Sequence, residues 1–252
     1  MIADVVALPL ALKSQELAGQ TCVVLDILRA TTSITVALAS GAKEIRVFAD
    51  IGAARREANG QPEQPLLCGE ENCLRPAGFD LGNSPSAFNC VVAHRTLYMA
   101  TTNGTRALLA AEGARLVLVG ALVNARAVAR TVREAGADLT LLCAGTGGKI
   151  AMEDLIGAGA VLSELQKQTS VEPASDVARM AVRIFMACRD NLFDALADAQ
   201  GGRNLIQAGL AEDIEFAARL HSMDVVGAVY ARPSRICALH GPLAAIIGGT
   251  VG

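Results

Sequence analysis

With 252 residues, 52% of them hydrophobic, but only 3% aromatic and no tryptophan, the chain can bury a large core only by packing small aliphatic side chains. A net charge of −3 with no strongly basic window argues against nucleic-acid binding through phosphate neutralisation, and the scarcity of rings argues against a base-stacking platform. Seven cysteines, an odd number with no C-x-x-C pair, speak against a disulfide framework or structural zinc and for free thiols in a reducing, cytoplasmic setting.

In chain order, residues 1–12 are apolar but lack a basic leader, which speaks against a signal peptide, and 2–8 read as a strand. Residues 22–27 form a continuous apolar run closing on Asp26, the pattern of a strand covered on both faces. A helix over 31–40 follows, with Gly41 as its C-terminal cap, then a strand over 45–49 and a helix to residue 59 capped by Asp50. A strand over 66–69 ends in Gly69-Glu70, after which periodicity disappears. Gly78-Phe79-Asp80-Leu81-Gly82-Asn83-Ser84-Pro85 reads as an ordered loop. Next come strands over 96–100, 115–119 and 138–143, helices over 105–111 and 122–135 (capped at Gly136), and a long helix from about 150 to 168.

From residue 171 the chain turns helical. Ser175 caps a helix over 176–189 whose apolar stripe is Val177, Met180, Ala181, Ile184, Phe185 and Cys188. Helices over 191–199 and 205–223 are punctuated by Gly201-Gly202, and late strands fall at 225–231 and 236–239. The apolar tail 242–252 is too short to cross a bilayer. The alternation predicts an α/β fold: a mostly parallel or mixed sheet with helices on both faces, in three layers, and a helix-rich C-terminal part over 171–223, all within one compact unit. Residues 32–47 and 103–118 share one plan: polar turn, Ala/Leu helix, Gly-Ala, charged residue, apolar strand. Internal duplication and the general likeness of strand–helix–strand units both account for it.

In open α/β sheets, ligands sit beyond the carboxyl ends of strands. Asp26, Glu70, Asn103 and Gly145 all fall at predicted strand tips. Asp26, Arg29, Thr31 and Thr32 surround one turn with a carboxylate, a guanidinium and two hydroxyls, a set suited to Mg²⁺ and phosphate or, more plainly, to a helix cap with a local ion pair. Asn103, Gly104, Thr105 and Arg106 repeat the logic. Gly145, Thr146, Gly147, Gly148 and Lys149 form a glycine-rich turn that leads toward a helix opening with Glu153 and Asp154.

That turn is not a Walker A loop, since Cys143 and Ile150 stand where G-x-x-x-x-G-K-[ST] requires Gly and Ser or Thr. Cys143 followed by Lys149 lacks the arginine of a cysteine-phosphatase loop, so Cys143 reads as a packing residue. Leu28 occupies the second acidic position of the aspartyl-phosphate motif. Glu153 and Asp154 either complement the helix dipole or supply a metal ligand. His94, His221 and His240 have no metal spacing, so an oxygen-rich site favours Mg²⁺ over Zn²⁺.

Taken together, Asp26-Ile27-Leu28-Arg29-Ala30-Thr31-Thr32, Gly69-Glu70, the 78–85 loop, Thr101-Thr102-Asn103-Gly104-Thr105-Arg106, Cys143-Ala144-Gly145-Thr146, Glu153-Asp154 and Asp213-Ile214 resemble the 2-phosphosulfolactate phosphatase family. The resemblance spans most of the chain, with separate blocks in order. It implies an α/β fold and a Mg²⁺-dependent acid phosphatase acting on 2-hydroxy acid phosphates. The implied reaction converts 2-phospho-3-sulfolactate to 3-sulfolactate and phosphate, an activity of coenzyme M biosynthesis.

The expected site holds Mg²⁺ on Asp26, Glu70 and either Glu153 or Asp154. Phosphate lies on the 103–106 and 145–148 turns, with Arg29 and Arg106 neutralising its oxygens. Arg75, Arg106 and Lys149 are candidates for a second anion. Attack by water and direct attack by Asp26 both remain open. A non-catalytic phosphate-ester-binding or regulatory protein on the same scaffold is the competing reading. No nucleic-acid or membrane partner is expected, and the many small apolar residues permit a homodimer.

Overall fold

The structure is a computed structural model and describes residues 1–12, 17–230 and 235–239. The strands are β1 (Ile2–Val6), β2 (Thr21–Leu25), β3 (Glu44–Phe48), β4 (Leu66–Gly69), β5 (Thr96–Ala100), β6 (Leu116–Gly120), β7 (Leu139–Cys143), β8 (Glu172–Pro173), β9 (Gly227–Tyr230) and β10 (Arg235–Ala238). They form one ten-stranded sheet in the order β4-β5-β3-β10-β9-β6-β2-β7-β1-β8. The helices are α1 (Ala30–Ala39), α2 (Ile51–Ala58), α3 (Gly104–Ala110), α4 (Ala125–Ala135), α5 (Met152–Gln166), α6 (Asp176–Cys188), α7 (Leu192–Asp198), α8 (Gln200–Gln207) and α9 (Ala211–Ala217).

The sheet has two parallel blocks, β4-β5-β3 and β6-β2-β7-β1-β8, joined through the antiparallel pair β9 and β10. Three antiparallel steps separate β3 from β6, so the blocks run in opposite senses. Five steps separate β5 from β2, and at roughly 20–25° each they add about 100–125° of twist. That rotation turns opposed strands into crossing ones and lets the carboxyl ends of both blocks face a common cleft.

Strand pleating sorts the apolar residues into two cores. Val23 and Leu25 of β2 join α4, α5 and α6 on one face, while Cys22 and Val24 join α1 and α3 on the other. All five residues of β2, β6 and β7 are buried, as the uninterrupted apolar runs predict for strands covered on both faces. Small residues allow the helices to approach closely. A Cβ on Gly159 of α5 would stand 2.1 Å from the Ala181 carbonyl oxygen of α6.

The two similar segments each cross between blocks. β2 leads through α1 to β3, and β5 leads through α3 to β6. The likeness extends to their hydrogen bonds. Thr31 Oγ1 accepts from Asp26 N (3.0 Å) and donates to Asp26 O (2.9 Å). Thr105 Oγ1 accepts from Thr101 N (3.4 Å) and donates to Thr101 O (2.9 Å). The next amide in each case donates to a carboxylate: Ile27 N to Asp154 in the first turn of α5 (2.9 Å) and Thr102 N to Glu70 just after β4 (2.8 Å). The two crossovers thus share these hydrogen bonds as well as their sequence plan.

Several expected elements differ. The segment around 172–173 adds a short strand, β8, beside β1. Gly201 and Gly202 do not break the chain but lie in the first turn of α8, where added Cβ atoms would stand 2.1 Å from Glu153 Oε1 and 1.9 Å from the Leu196 carbonyl oxygen. The single helix expected over 205–223 is instead α8 and α9, because Gly209, at φ +75°, ends α8 with Leu210 N bonded to Leu205 O at 2.8 Å. On α6, Ala178, Ala181 and Phe185 are the buried face, and Met180 is 51% exposed. His240, the tail and part of the predicted strand over 225–231 lie outside the described residues.

Candidate active site

A cleft of about 200 Å³ opens where the strand tips meet. The β2 tip contributes Asp26, Leu28 and Arg29, and the β4 tip Glu70 with Asn72 and Cys73 just beyond it. Thr102 and Asn103 follow β5, and Thr146 and Gly147 follow β7. Asn83 comes from the 78–85 loop, and Gly201, Asn204 and Leu205 from α8. The volume lies below the roughly 300–1,000 Å³ of drug-sized ligand pockets, which fits a small acid.

Asp26 is 7% exposed, and its Oδ1 accepts from Ala30 N at 3.2 Å. Burial pushes its carboxyl up to about 7, with Glu70 and Glu153 adding repulsion against the lowering effects of the Ala30 amide and Arg29. Gly104 is needed for this approach, since a Cβ there would stand 2.6 Å from Asp26 Oδ2 and 2.4 Å from Ala30 Cβ. Arg29 is buried and held from three sides. Nη1 donates to Asp213 Oδ2 (2.7 Å) and Ser84 Oγ (3.2 Å), and Nη2 donates to Cys73 O (2.6 Å).

The structure thus brings Asp26, Arg29, Glu70, Asn103, Thr146 and Gly147 into one cleft. It gives other candidates different surroundings. Thr31 and Thr105 spend their hydroxyls on the strand-tip locks described above, and Thr32 Oγ1 donates to Ile27 O at 2.8 Å. All three are fully buried behind the cleft wall. Arg106 is exposed on α3 and faces two neighbouring depressions, one with Asp50 and Glu71 and one with Leu8, Pro9, Leu10 and Gly148.

The glycine turn is closed on itself by paired bonds between Thr146 and Lys149, 2.9 and 3.1 Å, with Gly147 and Gly148 at positive φ. It therefore stands apart from the α5 N-terminus, which begins at Met152. Gly145 is buried, at φ +73°, and Gly148 and Lys149 are exposed. Arg75 is exposed and bonds Asp80 O at 3.0 Å.

The four expected metal ligands do not share one arrangement. Asp154 clamps two strand tips, accepting from Ile27 N and Gly145 N, each at 2.9 Å. Glu153 Oε1 accepts from Thr146 Oγ1 (3.2 Å) and from Gly201 N (3.1 Å) at the start of α8, while its buried Oε2 has no partner. Burial raises both carboxyls above their ordinary values. Glu70 accepts from Thr102 N (2.8 Å) and Cys73 N (3.0 Å). Among the described residues no three His, Cys, Asp or Glu side chains form a metal cage.

A smaller donor set still fits Mg²⁺, which usually takes one or two carboxylates together with water and substrate phosphate oxygens. Asp26 and Glu70 both line the cleft, and each carboxylate oxygen offers two lone pairs. Their only cationic companion in the lining, Arg29, is already neutralised by Asp213. The cleft is therefore negative as it stands, and a divalent cation would cancel that charge and open the cleft to an anionic ester. Asn72, Asn83, Asn204 and the Ser84–Asp213 support of Arg29 escaped sequence reasoning. Asn83 and Ser84 lay in the loop singled out for its turn formers, whereas Asn204 carried no signal inside a helical stretch.

Cys143 is fully buried, and burial raises its thiol well above the ordinary range, which matches packing and not nucleophilic attack. No helix among the described residues is long and apolar enough to cross a membrane.

Comparisons with known proteins identify the family. The family described as 2-phosphosulpholactate phosphatase matches residues 7–231. A protein of Caldanaerobacter subterraneus subsp. tengcongensis, named a probable 2-phosphosulfolactate phosphatase, is 35% identical over 218 residues, covering 86% of this chain and 90% of its own. Relatives with the same name from Carboxydothermus hydrogenoformans and Gloeobacter violaceus are each 37% identical. The first covers 88% of this chain and 91% of the relative, the second 81% and 86%. By the extent of the match and the placement of its motifs, this chain belongs to the 2-phosphosulpholactate phosphatase family, a family of phosphoric monoester hydrolases.

Proposed function

We propose that this chain is a Mg²⁺-dependent phosphatase that hydrolyses a small 2-hydroxy acid phosphate, 2-phospho-3-sulfolactate, to 3-sulfolactate and phosphate. The observation that carries the reading is the cleft itself: Asp26, buried with a carboxyl raised to about 7, faces a fixed Arg29 in a space sized for a small acid. The names of the relatives favour an enzyme over a non-catalytic binder.

Asp26 and Glu70 would hold Mg²⁺, which when bound supplies charge neutralisation and polarisation of the phosphoryl group. Arg29, immobilised by Asp213, Ser84 and the Cys73 carbonyl, neutralises non-bridging oxygens as charge shifts in the transition state. Asn103 and Thr146 orient the ester from the β5 and β7 tips. Water attacks phosphorus in line, the bond from phosphorus to the ester oxygen breaks, and the leaving oxygen takes up a proton.

Phosphate release from sulfolactate phosphate, phospholactate and phosphoglycolate, with Mg²⁺ or with EDTA at mildly acid pH, tests the proposal. Turnover of the first substrate that EDTA abolishes is expected. Absence of turnover on every ester, with phosphate-ester binding retained, would favour the non-catalytic reading. Oxygen-18 from labelled water should appear in phosphate, and its appearance in Asp26 during a single turnover would point to direct attack by that carboxylate.

A further inference from the structure

The cations expected to receive a second anion, Arg75, Arg106 and Lys149, do not line the cleft. The wall formed by α8 offers another donor. It contributes Gly201, Asn204 and Leu205 to the lining and no carboxylate, whereas Asp26 and Glu70 come from strand tips. The Gly201 amide is already given to Glu153 Oε1 (3.1 Å), so Asn204 carries the polar chemistry of this wall.

A chain of one-way hydrogen bonds sets the polarity of Asn204. A guanidinium can only donate. Arg203 Nη2 donates to Gln200 Oε1 at 3.1 Å, which leaves Gln200 Nε2 to donate to Asn204 Oδ1 at 2.8 Å. Asn204 thus spends its acceptor on Gln200 and keeps both Nδ2 hydrogens. Nδ2 has no partner among the described residues and, in a half-buried side chain, is open to solvent. The Arg203 charge adds a positive field, near enough to offset part of the upward push of burial on the Glu153 carboxyl. Apolar surface adjoins this wall. Leu205 lines it, and Leu28 Cβ would stand 3.5 Å from a Cβ on Gly201.

We infer that Asn204 is a specificity-determining residue that donates Nδ2 hydrogens to the carboxylate of a 2-hydroxy acid phosphate, with Gln200 and Arg203 as positioning residues that fix its amide. The carboxylate sits on the carbon that bears the ester oxygen, so it has to share the small cleft with the phosphate. A sulfonate one carbon further out does not. Leu28 and Leu205 then face the carbon skeleton. The inference rests on the phosphatase reading of the cleft and extends it to the wall that selects the acid.

Three esters separate the groups. They are 2-phospho-3-sulfolactate, the phosphate ester of 2-hydroxyethanesulfonate, which lacks only the carboxylate, and phospholactate, which lacks only the sulfonate. Steady-state phosphate release with Mg²⁺ is measured for wild type, Asn204→Leu and Gln200→Glu. Asn204→Leu should raise KM by ~10-fold or more for the two carboxylate esters, the scale of one hydrogen bond to a charged group, and by less than about two-fold for the third. Its kcat should hold, since the contact is made in ground and transition states alike. Leu is the better helix former, so melting temperature should not fall. Gln200→Glu leaves Asn204 in place but sets an acceptor against it, which turns Oδ1 toward the cleft. It should lose the same carboxylate preference, and Glu suits the first turn of a helix.

An equal KM rise on all three esters in either variant would overturn the inference. So would a loss that follows the sulfonate, or kinetics unchanged in either variant. The phosphatase reading fails separately. A wild type that turns over none of the esters sinks it, and calorimetric binding of the same three esters then judges Asn204 by the same pattern. A wild type that binds none of them overturns both.

Discussion

Replacing Asp26 by Asn should stabilise the metal-free protein while abolishing its activity. The carboxyl is buried and pushed from 3.8 up to about 7. Between those values the folded chain holds a proton that the unfolded chain releases, so unfolding free energy falls as pH rises through the window. At about 1.4 kcal/mol per pH unit, the full window of about three units amounts to at most about 4 kcal/mol. Asp26→Asn keeps an oxygen to accept from Ala30 N (3.2 Å) and removes the charge. Glu153 and Asp154 are raised too and add the same sign, whereas His221, lowered by burial, adds the opposite one. All three are present in both proteins, but the Asp26 charge is one of the causes that raise Asp154, so the difference between wild type and variant reads Asp26 together with the relaxation of Asp154 that follows its loss. The assay is urea unfolding in EDTA from pH 5 to 8. Wild type should lose stability across that range, and Asp26→Asn should lose less, ending above wild type at pH 8 by up to the same few kcal/mol. Equal slopes in the two proteins would refute the burial argument.

Other consequences divide the candidate residues. Thr31→Val removes the hydroxyl that bonds both Asp26 N and Asp26 O, and should cost about 1–3 kcal/mol in urea unfolding. Arg29→Ala should lower kcat/KM by about 100-fold or more, whereas Arg106→Ala, exposed and outside the cleft, should change it less than about 10-fold in the same steady-state assay. Gly201→Ala places a Cβ 2.1 Å from Glu153 Oε1 and should destabilise the contact between α8 and α5 by about 1–3 kcal/mol in thermal unfolding. Cys143→Ala should retain hydrolysis, and loss of turnover in a folded variant would restore the thiol as a nucleophile.

Much of the fold was legible because burial on both faces leaves uninterrupted apolar runs. β5 and β7 fall within one residue of their predicted bounds and β2 within two, and the caps Asp50, Gly136 and Ser175 act where short-range chemistry put them. The inversion between the two parallel blocks was not legible, since it depends on the late strands β9 and β10 inserting mid-sheet. Gly201 and Gly202 read as punctuation because what crowds them, Glu153 Oε1 far back in the chain and the Leu196 carbonyl across the turn into α8, is set by packing and not by local pattern. The strand-tip rule found Asp26, Glu70 and Asn103 but could not separate hydroxyls facing the cleft from those of Thr31, Thr32 and Thr105, which are spent on backbone. Adjacent carboxylates Glu153 and Asp154 likewise looked available, yet backbone amides engage both. The Asp213 support for Arg29 joins positions far apart in the chain, and nothing in local spacing encodes it.

The most direct measurement is phosphate release from 2-phospho-3-sulfolactate by wild type and Asp26→Asn, each with Mg²⁺ and with EDTA. The account predicts turnover by wild type with Mg²⁺ alone and none by Asp26→Asn under either condition, although the variant is folded. Mg²⁺-dependent turnover by Asp26→Asn at the wild-type rate would contradict it.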